Sequence, residues 1–340
     1  MESEIKNPAK DLIPQRTLTE EIKQSFINEI LRRDKELAKV ALNIDSLGPW
    51  SYSKKKSLHK CPFQFYLKYV LKFKVPEDLQ YQSDPLSAPV GKAAHSILEN
   101  ILLGKKVDKA YEATRKEFIS GGILTQTEWE NRVDILHYNI SNFQERIEEF
   151  GRTTPIRRVF TELRMGVTRN YEATDFFHDS VWLRGVIDLI LMLECMDIII
   201  LDHKTGGGQG SVDTYKEQLD WYKILFHFGI SKIQGAQTGV HFIGEGVLKM
   251  ADYTSSEDIE SKLVNVLEMT LEGAIEMLLE KGYFKHVRGN YCKWCEYDAI
   301  GCKSGELKPL ELSTKRWIQI HNDPSLETKL INLAPVPATT

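Results

Sequence analysis

The stretch GVIDLILMLECMDIIILDHKTGG, residues 185–207, restricts the fold more than any other part of the chain. It holds two apolar, β-branched runs of strand length, yet Asp188 interrupts the first and the second ends on Asp202-His203-Lys204. Side chains alternate faces along a strand, so Asp202 and Lys204 share one face and His203 takes the other. A three-residue loop centred on Cys195 pairs position 188 with 202 and sets their Cβ atoms about 4.5–5.5 Å apart. A slip of one residue would separate them. Two ionised carboxylates at that distance repel, and burial makes it worse. A cation between them turns that cost into binding. Hard oxygen ligands favour Mg²⁺ or Mn²⁺ over zinc. Such an ion polarises a phosphoryl oxygen and acidifies a bound water. Lys204, on the same face, is placed to orient that water or to meet charge developing on a phosphate. Asp-x-Lys alone is better explained by a structural salt bridge between Asp202 and Lys204, so the surrounding sequence has to decide.

Strand signals begin at Arg157: VFTELRMGV, VWLRGVIDLILML and DIIILDHKT follow one another. Helical spacing predicts helices over 17–42, 53–73, 89–103 and 125–150 before them and over 213–229 after them. Two further strands, AQTGVHFIG and VLKMADY, flank Gly244-Glu245-Gly246. Ser255 then reads as an N-cap, with Asp258 three residues on, for a helix reaching about Lys281. The tail ending LINLAPVPATT is expected to be poorly ordered. The order describes an α/β core with an N-terminal helical elaboration.

At 42% hydrophobic and 27% charged residues, the composition is that of a soluble globular protein. No apolar run approaches the roughly 18 residues of a membrane span. The N-terminus is acidic and lacks a signal-type apolar segment, and five cysteines is an odd number. An intracellular, cytoplasmic protein with no membrane association is expected. The net charge of −4 hides local fields. Ser51–Lys74 holds seven lysines and no acid, and Arg152–Arg169 holds five arginines and one acid, Glu162. The 51–74 segment mixes its lysines, Lys54, Lys55, Lys56 and Lys60 among them, with Tyr52, Phe63, Phe65, Tyr66, Tyr69 and Phe73, a mixture suited to phosphate contacts and base stacking. An amphipathic helix with aromatics in the core and lysines in water explains the same pattern.

Three more elements complete the set. Gly91-Lys-Ala-Ala-His95 lies on a predicted helix before the sheet, and Glu162 on the strand before the hairpin. Gln218-Leu-Asp-Trp-Tyr222 puts Gln218 and Tyr222 on one face of the helix after it. In this order, with Gly185-x-x-Asp188 and Asp202-x-Lys204, residues 51–303 resemble the RecB-like branch of the PD-(D/E)XK nuclease superfamily. The resemblance implies a restriction-endonuclease-like core, a mixed central sheet flanked by helices. It implies that His95, Asp188 and Asp202, with the His203 carbonyl, ligate a catalytic divalent metal. It implies that Lys204 assists the hydrolytic water, that Gln218 and Tyr222 position DNA and the lysine, and that Glu162 supports the site or a second metal. Residues 1–50 then form an N-terminal helical extension, 51–303 the nuclease domain, and 304–340 a tail.

The cysteines add a second centre. Cys292, Cys295 and Cys302 follow C-x2-C-x6-C, and Cys61 lies far upstream. Three closely spaced cysteines invite a metal, and zinc accepts a four-cysteine set. Within the RecB-like branch, one upstream cysteine plus a C-terminal trio resembles the iron–sulfur nucleases, the AddB nuclease domain among them. That resemblance implies a [4Fe-4S] cluster on these four thiolates, closing a very long loop in a Cys-rich C-terminal segment. Such closures stabilise most in theory. Cys195, in the hairpin loop, is read as non-ligating. Gly206-Gly207-Gly208-Gln209-Gly210 lacks a following Gly-Lys-[Ser/Thr], so it is no phosphate loop of a motor. The expected activity is a metal-dependent DNase, an exonuclease on single-stranded ends in recombination, repair or replication, working with a helicase or recombination protein. A structure-selective or CRISPR-adaptation-type endonuclease, a zinc-stapled RNA-processing nuclease and a non-catalytic DNA-binding scaffold are the alternatives.

Overall fold

The hairpin around Cys195 forms the middle of a mixed sheet in the computed structural model of the chain. The structure describes residues 19–37, 47–76, 84–206, 211–230, 233–281, 284–298 and 300–302. The N-terminal 18 residues and the tail from 303 onward lie outside them, as does the expected end of the first helix.

The helices before the sheet are α1 (Glu20–Leu37), α2 (Tyr52–Lys60), α3 (Pro62–Phe65), α4 (Ser87–Leu102), α5 (Val107–Ser120), α6 (Gln126–Arg132) and α7 (His137–Thr153). Strands β1 (Ile156–Val167), β2 (Ala173–Thr174), β3 (Leu183–Leu193) and β4 (Asp197–Lys204) follow, then α8 (Lys216–Gly229), β5 (Gly235–Phe242), β6 (Val247–Met250), β7 (Thr254–Ser255), α9 (Ser256–Asp258) and α10 (Val264–Lys281). No helix among the described residues is long and apolar enough to cross a membrane.

The helix expected after Ser255 is interrupted by a π-helical turn, Ile259–Leu263, between α9 and α10, and two other expected helices are broken, each for a local reason. The 53–73 helix stops at Lys60 because Pro62 has no N–H to continue it. Cys61 takes an extended backbone (φ −154°) and caps the next turn, which runs on as a π-helical turn, Tyr66–Val70. The 125–150 helix is α6 and α7 joined by a 3₁₀ turn, Asp134–Leu136. α6 starts on a capping box in which Thr125 and Glu128 satisfy each other's end groups. α5 was not foreseen.

The chain divides into two compact units, one of residues 1–47, 54–83 and 273–340, the other of residues 48–53 and 84–272. The second holds the sheet, in the order β2-β1-β3-β4-β5-β6, with β7 on β5. β4 and β5 run parallel, joined through α8, and the other pairs are antiparallel. A parallel pair needs such a crossover. Leu189, Leu191 and Leu201 pack on one face with Ala94, Ile97, Trp129 and Ile140 of α4, α6 and α7. On the other face α8 lies so close to β3 that a Cβ on Gly185 would sit 2.7 Å from the Leu225 side chain. The glycine of the Gly185-x-x-Asp188 element thus sets how near α8 approaches the strand that carries Asp188.

Gly185→Val overfills this contact and is expected to lower the unfolding free energy by about 1–3 kcal/mol in urea titrations. An unchanged midpoint would show that Leu225 retreats freely.

Candidate functional site

The hairpin register is the one the three-residue loop requires. Leu189 pairs with Leu201, Ile190 with Ile200, Leu191 with Ile199 and Met192 with Ile198. Continued one step, it sets Asp188 opposite Asp202. The loop closes with Met196 at φ +67°, the left-handed residue such a loop needs. Beyond Leu189 the ladder opens, and Asp188 Oδ2 accepts the His203 N–H at 2.7 Å.

Glu162 enters from the other side. β1 pairs Thr161 with Leu189 and Leu163 with Ile187, leaving Glu162 opposite Asp188 but outside the ladder, at φ +46°. A non-glycine residue in this region stores local strain, and such residues cluster at functional sites. The kink brings the Glu162 carboxylate to 2.9 Å from His95 Nδ1. His95 comes from α4, with its Nδ1 3.9 Å from Asp188 Oδ1 and its Nε2 3.3 Å from the His203 carbonyl oxygen.

Ligand atoms of His95, Glu162 and Asp188 all lie within 4.8 Å of one another. One imidazole and two carboxylates, beside a backbone carbonyl, suit a hard to borderline divalent cation. Asp202 is otherwise engaged: its Oδ2 is 2.6 Å from Lys204 Nζ, and its Oδ1 accepts from Gln218 Nε2 at 3.0 Å. Gln218 Nε2 also donates to the Tyr222 hydroxyl at 2.8 Å, as their spacing on α8 allows. The sequence-named residues of both faces therefore meet at one strand end, and Glu162 has the more central position in the cation group.

Burial, and then Asp202, push the Asp188 carboxyl up to about 7, against the opposing pull of His95 and the His203 N–H. Burial also raises Asp202, outweighing Lys204. Burial works against a charged His95, but Glu162 and Asp188 outweigh it and raise its pKa. Asp202 is 1% exposed and Lys204 32%, so the ammonium is open to a substrate while its carboxylate is not. His203 turns its ring to the opposite face, where Nδ1 lies 3.1 Å from His241 Nδ1 and Phe143 stacks on His241 at 4.0 Å.

Two aromatics lie by the site, Tyr215, which sequence reasoning missed, and Tyr52, which it named only among the aromatics of the lysine-rich segment. Burial, and then Glu217 and Asp202, raise the Tyr52 hydroxyl pKa. Lys204 Nζ lies 5.7 Å from the Tyr215 ring centre. Neither sits at a motif spacing.

In the other unit Cys61, Cys292, Cys295 and Cys302 line one pocket with Gln64, His286, Tyr291 and Asp298. Cys61 Sγ accepts the Gln64 N–H and Cys292 Sγ the Gly289 N–H, each at 3.5 Å. Burial and the neighbouring thiols raise Cys295 to about 11 and Cys302 further. Four convergent sulfurs fit a thiolate-bound centre. Cys195 is exposed at the hairpin tip and is not among the residues lining that pocket.

The four lysines named for DNA differ in exposure. Lys54 and Lys55 are buried, and the Lys54 ammonium donates to the Leu47 carbonyl and lies 5.5 Å from the Tyr69 ring centre. Lys54 is thus spent inside its own unit rather than offered to a phosphate. Lys56 and Lys60 are exposed, Lys60 lying 4.3 Å over the Tyr291 ring.

Carboxylates, an imidazole and a lysine gathered at one strand end of an α/β core suit metal-assisted hydrolysis. The sequence profile of the PD-(D/E)XK nuclease superfamily matches residues 49–302, more than half the chain, and the chain belongs to that superfamily. It is a nuclease by family. No curated protein matches it at a significant level. Among solved structures, the crystal structure of SSO0001 is similar at 12% identity and a TM-score of 0.30, over 82% of this chain and 94% of that one.

The folded chain holds the Asp188 proton up to about pH 7, against an ordinary value of 3.8. The unfolded chain therefore gives up that proton first, and the metal-free fold loses stability as pH rises through this window. In EDTA, the stability of Asp188→Asn relative to wild type should increase between pH 5 and pH 7.5 in urea unfolding. A pH-independent difference would contradict the assignment.

Proposed function

We propose that this protein is a divalent-metal-dependent deoxyribonuclease that degrades DNA from single-stranded ends. The observation that carries the reading is the convergence of His95, Glu162 and Asp188 within 4.8 Å, beside the Asp202–Lys204 pair. His95, Glu162, Asp188 and the His203 carbonyl would hold Mg²⁺ or Mn²⁺, which when bound would supply Lewis-acid polarisation of the scissile phosphate and a more acidic water. The chain's own groups do the rest. Asp202 and Gln218 hold the site from beneath, Asp202 orients the Lys204 ammonium, and that ammonium meets charge developing on the phosphate. Tyr222 fixes Gln218. A helicase or recombination protein that opens duplex ends would supply the substrate.

Asp202→Ala should lower Mg²⁺-dependent cleavage of end-labelled single-stranded DNA at least 100-fold while the circular dichroism spectrum stays as in wild type. A circular single-stranded substrate should resist the wild-type enzyme. Cleaved circles would make it an endonuclease, and full activity in Asp202→Ala would remove the site assignment.

The four cysteines are proposed to hold a [4Fe-4S] cluster that ties Cys61 to the Cys292–Cys302 segment. Anaerobically purified protein should then contain about four iron and four sulfide per chain, and Cys302→Ser should lose both. Stoichiometric zinc without iron would replace the cluster by a zinc staple.

A further inference from the structure

The arginines between Arg152 and Arg169 and the loop joining β2 to β3 take no part in the site above. That loop carries Phe176 and Phe177, whose rings lie 4.9 Å apart at 75°. Phe177 is 69% exposed. The Arg164 guanidinium lies 5.9 Å from the Phe177 ring centre, and that of Arg184 lies 5.1 Å from Phe176. Neither arginine forms an ion pair among the described residues, whereas Arg169 is taken up by Glu268 and Glu272.

The exposure of Phe177 is held by polar contacts. Asp175 Oδ1 accepts the Phe177 N–H at 2.8 Å, His178 N–H bonds back to the Asp175 carbonyl at 3.1 Å, and His178 Nδ1 accepts the Ser180 N–H at 3.1 Å. Asp175 is thereby committed to the turn. A ring fixed in water beside a second ring and two cations is a surface for a planar, anionic polymer. Aromatic faces stack bases of any sequence, and arginine adds cation–π and phosphate contacts.

Position strengthens the reading. Arg164 follows Glu162 by two residues on β1, and Arg184 precedes Asp188 by four on β3. At about 3.3 Å per strand residue, Arg184 is ~13 Å from Asp188 along the strand. That separation corresponds to roughly four stacked nucleotides at ~3.4 Å each.

We propose that Phe176, Phe177, Arg164 and Arg184 form a stacking platform that binds single-stranded DNA about four nucleotides from the scissile phosphate. The inference rests on the nuclease reading and adds where the strand lies. Binding of fluorescein-labelled dT20 in EDTA, followed by anisotropy, and cleavage of dT20 and dT3 with Mg²⁺ test it. Phe177→Ala should weaken dT20 binding roughly tenfold and Phe177→Trp should restore it. Arg164→Ala should weaken binding and reduce the salt slope by about one. All three variants should cleave dT3 at the wild-type rate, since a trinucleotide does not span the distance. Equal dT20 affinity in wild type and Phe177→Ala, with wild-type cleavage intact, would give the patch to another partner, such as a protein, and overturn the platform alone. A wild type that binds dT20 but cleaves nothing would remove the nuclease reading and leave the platform standing. One that does not bind dT20 removes the platform.

Discussion

Three carboxylates crowd one end of the β3–β4 hairpin, and the rest of the site is arranged around their repulsion. Asp188 stands between Glu162 on β1 and Asp202 on β4, in neighbouring strands about 4.8 Å apart. Ionised carboxylates on neighbouring strands repel one another, and the burial of Asp188 and Asp202 strengthens that repulsion. Ionised, the three carry −3 and Lys204 returns +1, leaving −2. A divalent cation closes that balance with His95 neutral, the state in which an imidazole nitrogen has a lone pair to give. Without a cation, burial first and the Asp202 charge second hold the Asp188 carboxyl up to about 7, burial raises Asp202, and Glu162 and Asp188 raise His95 against its burial.

The geometry of that cluster depends on one peptide. The His203 N–H binds Asp188 and the His203 carbonyl accepts from His95, so a single residue sets the approach of two candidate ligands. Its ring is fixed on the far face by His241 and Phe143. A ligand group is only as well placed as the partners behind it. The left-handed Glu162 belongs to the same logic. An ordinary strand residue there would extend the β1–β3 ladder, whereas the kink turns the carboxylate toward His95.

Much of this was legible in the residues. The apolar alternation and the short loop determined the register, because only one pairing buries Leu189, Leu191, Ile199 and Leu201 together. Gln218 and Tyr222 were legible because i, i+4 fixes a shared helix face. What escaped has physical reasons. The Glu162 kink follows from what surrounds the strand rather than from its own propensity, so a strand pattern conceals it. Lys54 reads as surface charge, yet a carbonyl and two rings at the right distance make its burial tolerable. The break at Cys61-Pro62 was readable in the proline, but a lysine- and aromatic-rich helical pattern on both sides masked it.

The two candidate centres differ in donor chemistry. The strand-end site offers carboxylate oxygens, an imidazole and a carbonyl, and the pocket offers four sulfurs and no competing carboxylate beyond Asp298. Oxygen donors hold Mg²⁺ and Mn²⁺ and discriminate poorly among transition metals, while thiolates select zinc, copper(I) and iron–sulfur clusters. An ion suited to one site is therefore a weak competitor at the other. Glu162 matters most to this separation. A His95 and Asp188 pair alone would accept zinc readily, whereas a second carboxylate in the trio shifts the preference toward harder, higher-coordinate cations.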